Sequence, residues 1–431
     1  MNSVLVIGAT GFIGRHVVAT LLAHGHLVRL AVRDTASAAR RFPGCGIVRI
    51  DMNRMSRAAD WDQATEGCDA VVNVAGILQS RGRQDAHAIH RASVAALLQA
   101  CEQAGIRRLV HVSAMGVEDG VDTEYARTKR AAETLIAGAA LETVILRPSL
   151  VYASGSFGGT STLRGLAGLP WITPLIGDGG QMFQPIHADD LADIVRRALA
   201  CDLGQRHTLT LEPAGPDILP MRDILARMRQ WLDLPPARPL RIPLPLINLL
   251  ARLGDVLPLG AITTTSVRQL QVACIQHDPG QDLLGVAPRS MASAFLLHPS
   301  HVQDRWHARL VFLKPLIGLG LAVLWLASAA LGLFAQPSDT GLIVRGMELP
   351  AAAGPLVADA FSVLDLLIGL LLLTDRAGRR TGLVQLLTVC GYTVGLTLLQ
   401  PGLWLNPYGP LLKNIPAILA ILVWIALLDE K

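Results

Sequence analysis

The sequence predicts an α/β fold with a doubly wound parallel sheet, followed at its C-terminal end by a four-helix transmembrane bundle. Over the first 150 residues, short apolar runs alternate with segments of helical apolar spacing, which is the pattern of parallel strands and crossover helices. From Arg309 onward the chain is instead almost continuously apolar. This change in composition predicts two domains, residues 1–300 and residues 306–431.

The strands of the first domain are expected where short apolar runs end in glycine or polar residues. The first is the run at residues 3–8, and the helix after it covers residues 12–24. Residues 1–150 should mainly bind a cofactor, and the proline-richer residues 150–300 should form a substrate lobe. Later strands are expected at His26–Val32, Ile47–Ile50, Ala70–Val74, Leu109–Val112 and Leu141–Leu146, with a helix at about His87–Ala104.

A glycine motif lies between the first strand and the first helix. Gly8 permits a tight turn, Gly11 lets the backbone approach a pyrophosphate, and Gly14 allows the helix to pack closely on the strand. The positive end of the helix dipole then faces the phosphates. This context predicts a Rossmann-type dinucleotide site rather than an ordinary glycine-rich turn. The motif assigns six residues to the cofactor: Gly8, Thr10, Gly11, Phe12, Ile13 and Gly14.

The end of the second strand indicates which dinucleotide is bound. NAD-binding domains usually place an acidic residue there to hold the ribose hydroxyls. Here Arg33 is positioned to pair with a 2′-phosphate, and Asp34 lies beyond the strand end. We therefore expect NADP(H) to be preferred, with NAD(H) as the alternative if Arg33 is only a solvated charge.

Other cofactor contacts are expected at the ends of later strands. Asp51, with Met52 beside it, closes the third strand and would either accept from the adenine amino group or be a solvated loop acid. After the fourth strand, the small residues Ala75 and Gly76 would bring backbone against the cofactor. Arg147 and Pro148, after the strand at Leu141–Leu146, are also assigned to the cofactor.

The catalytic chemistry is expected at Ser113, Tyr125 and Lys129. Tyr125 and Lys129 are four residues apart and share one helix face. The ammonium should favour the phenolate and lower the tyrosine pKa from about 10 toward the working range. Tyr125 would then exchange a proton with a substrate oxygen while hydride moves at the carbon. Ser113 would hydrogen-bond that oxygen, and Lys129 would also hold the nicotinamide ribose.

These motifs give residues 1–300 a family resemblance. The segments GATGFIG, VNVAG, HVSAMG, YARTK, Arg147-Pro148-Ser149 and FQPIHADDLA resemble the extended or atypical branch of the short-chain dehydrogenase/reductase superfamily. The resemblance implies that Tyr125 and Lys129 are catalytic, with Ser113 assisting, and that Arg33 favours NADP. One departure is His90, where extended members usually carry Asn. The branch also contains the Rossmann-type accessory subunit of respiratory complex I, which binds NADPH in a structural role, so the fold alone does not imply turnover.

The C-terminal residues resemble the DoxX-like family of four-helix membrane proteins. Four apolar runs are each close to the roughly 20 residues that cross a bilayer. Basic residues precede the first run, and Arg376, Arg379 and Arg380 lie in the loop between the second and third runs. The positive-inside rule places both of these segments in the cytoplasm, together with the N-terminal domain and the C-terminus. A bacterial-type inner membrane is the expected location. The spans are predicted at about 311–334, 357–374, 381–400 and 411–428.

Charged residues inside the bundle are candidate functional groups. Asp359 and Lys413 fall at similar depth and are predicted to pair. Asp365 lies nearer the midplane with no obvious partner. It would either serve a proton or quinone path or be a carboxylate that is hydrogen-bonded within the bundle.

Composition excludes several functions. A net charge of +4 without a Lys/Arg block argues against nucleic-acid binding. The six cysteines are scattered without metal-ligand spacing, so free thiols and no metal site are expected. No basic region precedes the first strand, so no signal peptide is expected.

The predicted function is that of a membrane-anchored, NADP(H)-preferring oxidoreductase. Its partners would be the lipid bilayer and a carbonyl, alcohol or quinone-like substrate that partitions into it. One alternative is a non-catalytic NADPH-binding assembly or sensor protein that docks to a respiratory complex. A second alternative is an NAD-dependent epimerase/dehydratase.

Overall fold

The computed structural model describes residues 2–80, 84–117, 121–256, 263–277, 284–334, 353–374, 377–407 and 409–428. The chain divides into two compact units, and each is described by itself. The first is Met1–Arg252 with Ala261–Ala308, and the second is Leu253–Gly260 with Arg309–Lys431. Arg376, which entered the topology prediction, lies outside the described residues.

The first half of the first unit alternates strands and helices as the sequence predicts. A 3₁₀ turn at Ala58–Trp61 precedes the third helix, and a π-helical turn at Ala88–Ala92 precedes the fourth. The elements are β1 (Ser3–Ile7), α1 (Phe12–Ala23), β2 (Leu27–Val32), α2 (Thr35–Arg41), β3 (Gly46–Arg49), α3 (Asp62–Thr65), β4 (Ala70–Asn73), α4 (Ser93–Gln103), β5 (Arg108–Val112), α5 (Glu124–Ala137) and β6 (Glu142–Leu146).

The second half of this unit is built from shorter elements. They are β7 (Val151–Tyr152), α6 (Gly159–Gly168), β8 (Ile172–Ile176), β9 (Met182–Phe183), β10 (Ile186–His187), α7 (Ala188–Ala198), β11 (Thr208–Leu211), β12 (Leu219–Pro220), α8 (Met221–Trp231), β13 (Arg238–Ile242), α9 (Leu244–Val256), α10 (Thr264–Leu270) and α11 (Met291–Leu297).

Within the described residues, seven strands form one sheet in the order β11-β6-β5-β4-β1-β2-β3. Every neighbouring pair is parallel. This confirms the predicted Rossmann-type sheet. The order reverses between β1 and β4, where Ile7 lies beside Asn73. Open α/β sheets bind ligands at such a switch point, beyond the carboxyl ends of the strands.

Both faces of the sheet are covered, which is why its central strands are apolar without alternation. Val4 and Val6 of β1 belong to a buried cluster with α1 and α7. Leu5 and Ile7 of the same strand belong to a second buried cluster with α4. This double burial fixes the strand ends that carry the site.

Helix α9 is buried along one narrow face, and its opposite face is exposed. Ile247 and Ala251 are buried against the side chains of neighbouring elements. The opposite face is lined by exposed leucines: Leu244, Leu246, Leu249, Leu250 and Leu253. An amphipathic helix with an uncovered apolar face is typical of one that lies in a membrane interface.

The second unit is helical. Its elements are α12 (Val302–Phe334), which starts in the first unit, α13 (Ala353–Leu372), α14 (Arg379–Leu399), a 3₁₀ turn at Pro401–Trp404, and α15 (Asn414–Ala426). Among the described residues, α12 and α14 are long and apolar enough to cross a membrane. Helix α15 has 13 residues, because residues 411–413 form a turn. It is therefore shorter than the predicted span at 411–428 and than the roughly 20 residues a span needs.

The interior of this bundle contains polar contacts. Asp365 accepts hydrogen bonds from the hydroxyls of Ser328 at 2.6 Å and Tyr392 at 2.8 Å. These two bonds agree with one of the two expectations for Asp365, a carboxylate that is hydrogen-bonded within the bundle. The predicted Asp359–Lys413 ion pair was wrong for the part of the chain that the structure describes, because both side chains are exposed and they form no pair.

Candidate active site

The turn after β1 requires glycine at two positions. Gly8 has a φ of +83°, and a Cβ there would lie 2.9 Å from the backbone nitrogen of Ala75. A Cβ on Gly14 would lie 2.1 Å from the carbonyl oxygen of Gly8. The Gly11 N–H donates to that same oxygen at 2.9 Å. The loop therefore holds α1 directly against the end of β1.

The first backbone N–H groups of α1 lie at the turn after β1. Gly11 is the N-cap residue and supplies no side-chain acceptor to the first N–H groups of the helix. Thr10 accepts at its carbonyl from Arg15 Nε at 2.9 Å, which orients the turn. Phe12 and Ile13 are half-buried in the first helical turn. These N–H groups are a ready site for an anion.

The two charged residues after β2 have different roles. The Asp34 carboxylate accepts from the Ser37 N–H at 2.9 Å and caps α2. Arg33 is exposed. With the Gln84 amide in the orientation that satisfies both groups, its oxygen accepts from the Arg33 guanidinium at 2.5 and 3.1 Å. The strand end therefore offers a positive charge, while its carboxylate is already engaged.

Asp51 closes its own turn beyond β3. Its Oδ1 accepts from the backbone and the side chain of Asn53 at 3.2 and 3.0 Å. Arg54 Nε lies 3.8 Å from Oδ2, and Met52 is buried. Of the two roles expected for Asp51, the local contacts describe a loop acid that stabilises the turn.

The loop after β4 lies next to Lys129. Asn73 Oδ1 accepts from the Ala75 N–H at 3.1 Å and shapes the loop. A Cβ on Gly76 would lie 3.2 Å from Lys129 Nζ and 3.4 Å from His90 Nε2. Gly76 therefore leaves space beside the ammonium that a larger residue would fill.

Lys129 and Ser113 lie together at the carboxyl end of β5. Lys129 is buried, and its Nζ donates to the carbonyl oxygen of Val112 at 3.0 Å. Ser113 follows Val112 directly. Its hydroxyl is buried and has no hydrogen-bond partner among the described residues. Because buried polar atoms are nearly always paired, this hydroxyl is available to the oxygen of a bound molecule.

The pKa of Tyr125 is shifted in the direction opposite to the prediction. Burial raises the pKa of its phenol to about 12, and Cys274 and Glu133 contribute to the rise. Burial also lowers the pKa of Lys129 to about 8, against the opposing effect of Glu133. The sequence argument counted the ammonium but not the loss of water around both groups. At neutral pH Tyr125 is consequently protonated and suited to act as an acid.

His90, predicted to stand where extended family members carry Asn, is buried and makes two hydrogen bonds. Its Nε2 accepts from the Ile77 N–H at 3.1 Å, so the proton is assigned to Nδ1, which donates to Thr128 Oγ1 at 2.8 Å. Burial, followed by the charge of Lys129, lowers its pKa to about 3. The neutral imidazole therefore ties the loop after β4 to α5. It lies in the π-helical turn, a feature frequent at functional sites.

Arg147 forms an ion pair with Glu133. Its guanidinium donates to the Glu133 carboxylate at 2.6 and 3.1 Å in an ion pair that is largely buried. The Pro148 carbonyl accepts from the Met115 N–H at 3.1 Å. The assignment of Arg147 and Pro148 to the cofactor stays a prediction.

A cavity of about 200 Å³ opens beside Arg147. One of its walls is the segment Ala273–His277, which is held in place because Ser149 Oγ donates to the Cys274 carbonyl at 2.8 Å. Sequence reasoning missed this segment, since it has no motif and is distant in the chain from the residues it covers. The cavity is lined by Met115, Gly116, Val117, Arg147, Glu212, Ala273, Ile275 and His277.

Comparisons with known proteins agree with this geometry. Residues 8–165 match a family model described as NAD(P)H-binding, and residues 322–422 match the DoxX-like family. The chain is similar to the mitochondrial NADH dehydrogenase (ubiquinone) 1 alpha subcomplex subunit 9 of Arabidopsis thaliana. The two are 28% identical over 266 residues, which cover 58% of this chain and 62% of that protein.

Two further similarities concern reductases and epimerases. A ceramide reductase of Caulobacter vibrioides is 29% identical over 192 residues, which cover 44% of this chain and 58% of the reductase. The fold is also similar to the structure of the UDP-glucose 4-epimerase of Thermus thermophilus in complex with NAD, with a TM-score of 0.52 and 20% sequence identity to this chain. It covers 71% of this chain and 99% of the epimerase. The chain thus spans about three fifths of the two sequence relatives.

The fold and the glycine turn define the first unit as an NAD(P)-binding Rossmann domain of the short-chain dehydrogenase/reductase and epimerase type. The chain joins this domain to a C-terminal DoxX-like domain. The apolar helices and the DoxX-like match indicate a membrane protein.

Proposed function

We propose that this chain is a membrane-anchored oxidoreductase that prefers NADP(H) and acts on a carbonyl, alcohol or quinone-like compound that partitions into the bilayer. The observation that carries the proposal is the unpaired, buried hydroxyl of Ser113 beside the buried ammonium of Lys129. A purely structural nucleotide site has no need of an unsatisfied hydroxyl. A substrate oxygen bound there would satisfy it.

Three side chains would share the chemistry. NADPH, when bound, supplies the hydride for the substrate carbon. Tyr125 gives its phenolic proton to the substrate oxygen as the carbonyl becomes an alcohol, and it regains a proton from solvent. Ser113 donates to the same oxygen and orients it. Lys129 stabilises the transient phenolate and holds the ribose. With a pKa of about 12, Tyr125 carries the proton that reduction requires at neutral pH.

The preference for NADP(H) rests on the end of β2. Arg33 is exposed there, and Asp34 is occupied as the cap of α2. A guanidinium binds phosphate with paired, charge-assisted hydrogen bonds. A ribose with free hydroxyls would lack the acidic partner that NAD-binding domains usually provide.

The bilayer would be both anchor and source of substrate. The exposed leucine face of α9 would contact the interface, and the DoxX-like domain would span the membrane. Exposed Arg379 and Arg380 at the start of α14 support a cytoplasmic end there, and hence a multi-pass protein of a bacterial-type inner membrane with its N-terminal domain and C-terminus in the cytoplasm. The division between residues 1–300 and 306–431 is part of the proposal. Similarity to a named ceramide reductase supports a lipid-like substrate.

A second candidate is a non-catalytic NADPH-binding protein that docks to a respiratory complex. The similarity to a subunit of a mitochondrial NADH dehydrogenase favours it. In that case the nucleotide would stabilise the fold and would not be consumed.

A nicotinamide oxidation assay separates the two candidates. Detergent-purified full-length protein is mixed with NADPH or NADH, with and without an organic extract of bacterial membranes that contains lipids and quinones. Oxidation of NADPH that depends on the extract and exceeds oxidation of NADH supports the oxidoreductase. Tight binding of NADPH without oxidation under any condition supports the docking protein.

A further inference from the structure

Three histidines, one from each of three helical regions, surround the carboxylate of Asp189. Asp189, in the first turn of α7, lies with its Oδ2 3.5 Å from His187 Nδ1 and 3.8 Å from His298 Nε2. His16 of α1 contacts the other oxygen, Oδ1, at 2.5 Å. The two nitrogens and Oδ2 lie within 4.8 Å of one another.

We propose that His187, Asp189 and His298 form a binding site for a divalent transition-metal ion, with Zn²⁺ as the best match. A tetrahedral zinc ion with bonds of about 2.0–2.1 Å holds its ligand atoms roughly 3.3–3.5 Å apart. The separations around Asp189 Oδ2 are close to this requirement without an ion. Two imidazoles and a carboxylate are a ligand set that zinc accepts, and three protein ligands leave a fourth position for water.

Of the two nitrogen lone pairs, that of His298 is unused, and that of His187 makes one long hydrogen bond that an ion would replace. His298 Nε2 is enclosed and has no hydrogen-bond partner among the described residues. His187 is 3% exposed, and its Nδ1 accepts only a long 3.3 Å bond from the Asp189 N–H.

His16 would orient the carboxylate in the way that outer hydrogen bonds orient metal ligands elsewhere. Because it bonds Oδ1, it leaves Oδ2 directed at the two other histidines. The nearest positive charge is Arg289, 3.8 Å from Oδ2, but its guanidinium is paired with Asp190 at 2.7 and 2.9 Å. Because Asp190 balances the charge of Arg289, the arginine should repel a bound cation only weakly.

One side chain has to move for coordination. The rings of His187 and His298 are stacked, with an angle of 3° and centroids 5.2 Å apart, and two parallel planes cannot both contain one ion. His298 follows the end of α11 and its side chain is 38% exposed, so its ring is free to turn toward Asp189. An ion held there would join α7 to α11, and through His16 to α1. Sequence spacing conceals the site because His298 is remote from His187 in the chain.

Cobalt binding tests the proposal independently of catalysis. Untagged full-length protein in detergent is stripped with chelator and titrated with Co²⁺, whose absorption spectrum reports coordination by nitrogen and oxygen; Zn²⁺ is then added as competitor. We expect one Co²⁺ per chain, displaced by Zn²⁺, and a rise in the unfolding temperature with Zn²⁺. His298→Gln should abolish the spectrum. His16→Gln should weaken binding by about 10- to 100-fold.

The matched control is His301→Gln, an exposed histidine three residues beyond the site. It should bind Co²⁺ as the wild type does. His298→Gln also removes the stack on His187, so its thermal unfolding is measured without metal. A cooperative transition shows that the variant is folded, and loss of Co²⁺ binding cannot then be attributed to misfolding. The proposal is overturned if the wild type binds no Co²⁺, or if His298→Gln binds it with unchanged affinity and spectrum.

Discussion

Lys129 donates its ammonium proton to the carbonyl oxygen of Val112 at 3.0 Å, at the residue before Ser113. This contact joins the helix that carries Tyr125 to the strand end that carries the unpaired hydroxyl. The same burial that enforces the contact lowers the pKa of Lys129 to about 8 and raises that of Tyr125 to about 12. As pH rises, Lys129 is therefore expected to lose its proton before Tyr125 does.

The pH dependence of reduction should reflect Lys129. Below pH 8 both Lys129 and Tyr125 are protonated, and as pH rises through about 8 the lysine loses its charge while the tyrosine remains an acid. We expect kcat/KM for NADPH, which reports the free enzyme, to fall through this range. In Lys129→Arg, whose charge persists, the fall should move to higher pH. A fall only near pH 12, or one unmoved by Lys129→Arg, would contradict this assignment.

Gly14→Ala should destabilise the nucleotide turn. The new Cβ would lie 2.1 Å from the Gly8 carbonyl oxygen, so backbone must shift. Overpacking of this kind costs about 1–3 kcal/mol, and thermal unfolding should show it together with weaker NADPH binding. The control is Gly46→Ala on β3, where the nearest atom to a Cβ is an Arg29 carbon at 3.8 Å. Equal stability and affinity in both variants would exclude the predicted close packing.

Arg33→Ala should change nucleotide preference without loss of fold. Removal of a charge-assisted contact to a 2′-phosphate costs about 1.5–3 kcal/mol, which corresponds to roughly 10- to 100-fold weaker NADPH binding. NADH binding should change little. Arg40→Ala, an exposed arginine in the last turn of α2, is the control and should leave both affinities intact. If Arg33→Ala weakens the binding of NADPH and of NADH equally, or weakens neither, a preference for NADPH must originate at other residues.

The Asp365 contacts should stabilise the bundle rather than support turnover. Ser328→Ala removes one of the two donors and should cost about 0.6 kcal/mol, with an upper limit of about 1.7, for unfolding in detergent. Thr388→Val is the control, because that exposed hydroxyl bonds only to the Val384 carbonyl within its own helix. Asp365→Asn should lower stability and retain NADPH oxidation. Loss of oxidation with stability intact would instead indicate a proton or quinone path.

The sequence predicted the sheet, the glycine turn and the apolar helices because these depend on local pattern. The two turn glycines and the strand-end Arg33 could be placed from spacing alone. Contacts between distant segments could not be placed in this way. Three contacts join parts of the chain that share no motif. They are the ion pair of Arg147 with Glu133, the stacking of His187 on His298, and the hydrogen bond from Ser149 to the Cys274 carbonyl.

The direction of the Tyr125 pKa shows the same limit in physical terms. Sequence spacing reveals the neighbouring lysine, which would stabilise the phenolate. It does not reveal how much water the remaining fold removes, and here desolvation is the larger effect. The helix at Asn414–Ala426 and the apolar run at 411–428 differ for a related reason, since an apolar run indicates membrane affinity but not where the helix begins.

A single-turnover experiment tests the central claim most directly. Full-length wild type and Tyr125→Phe are loaded with NADPH, mixed with vesicles made from bacterial membrane extract, and followed by the fluorescence of the reduced nicotinamide. We predict that the signal decays in the wild type and decays at least about 10²-fold more slowly in Tyr125→Phe, although both bind the same amount of NADPH. Bound NADPH that persists equally in both proteins would contradict the oxidoreductase and support a structural role for the nucleotide.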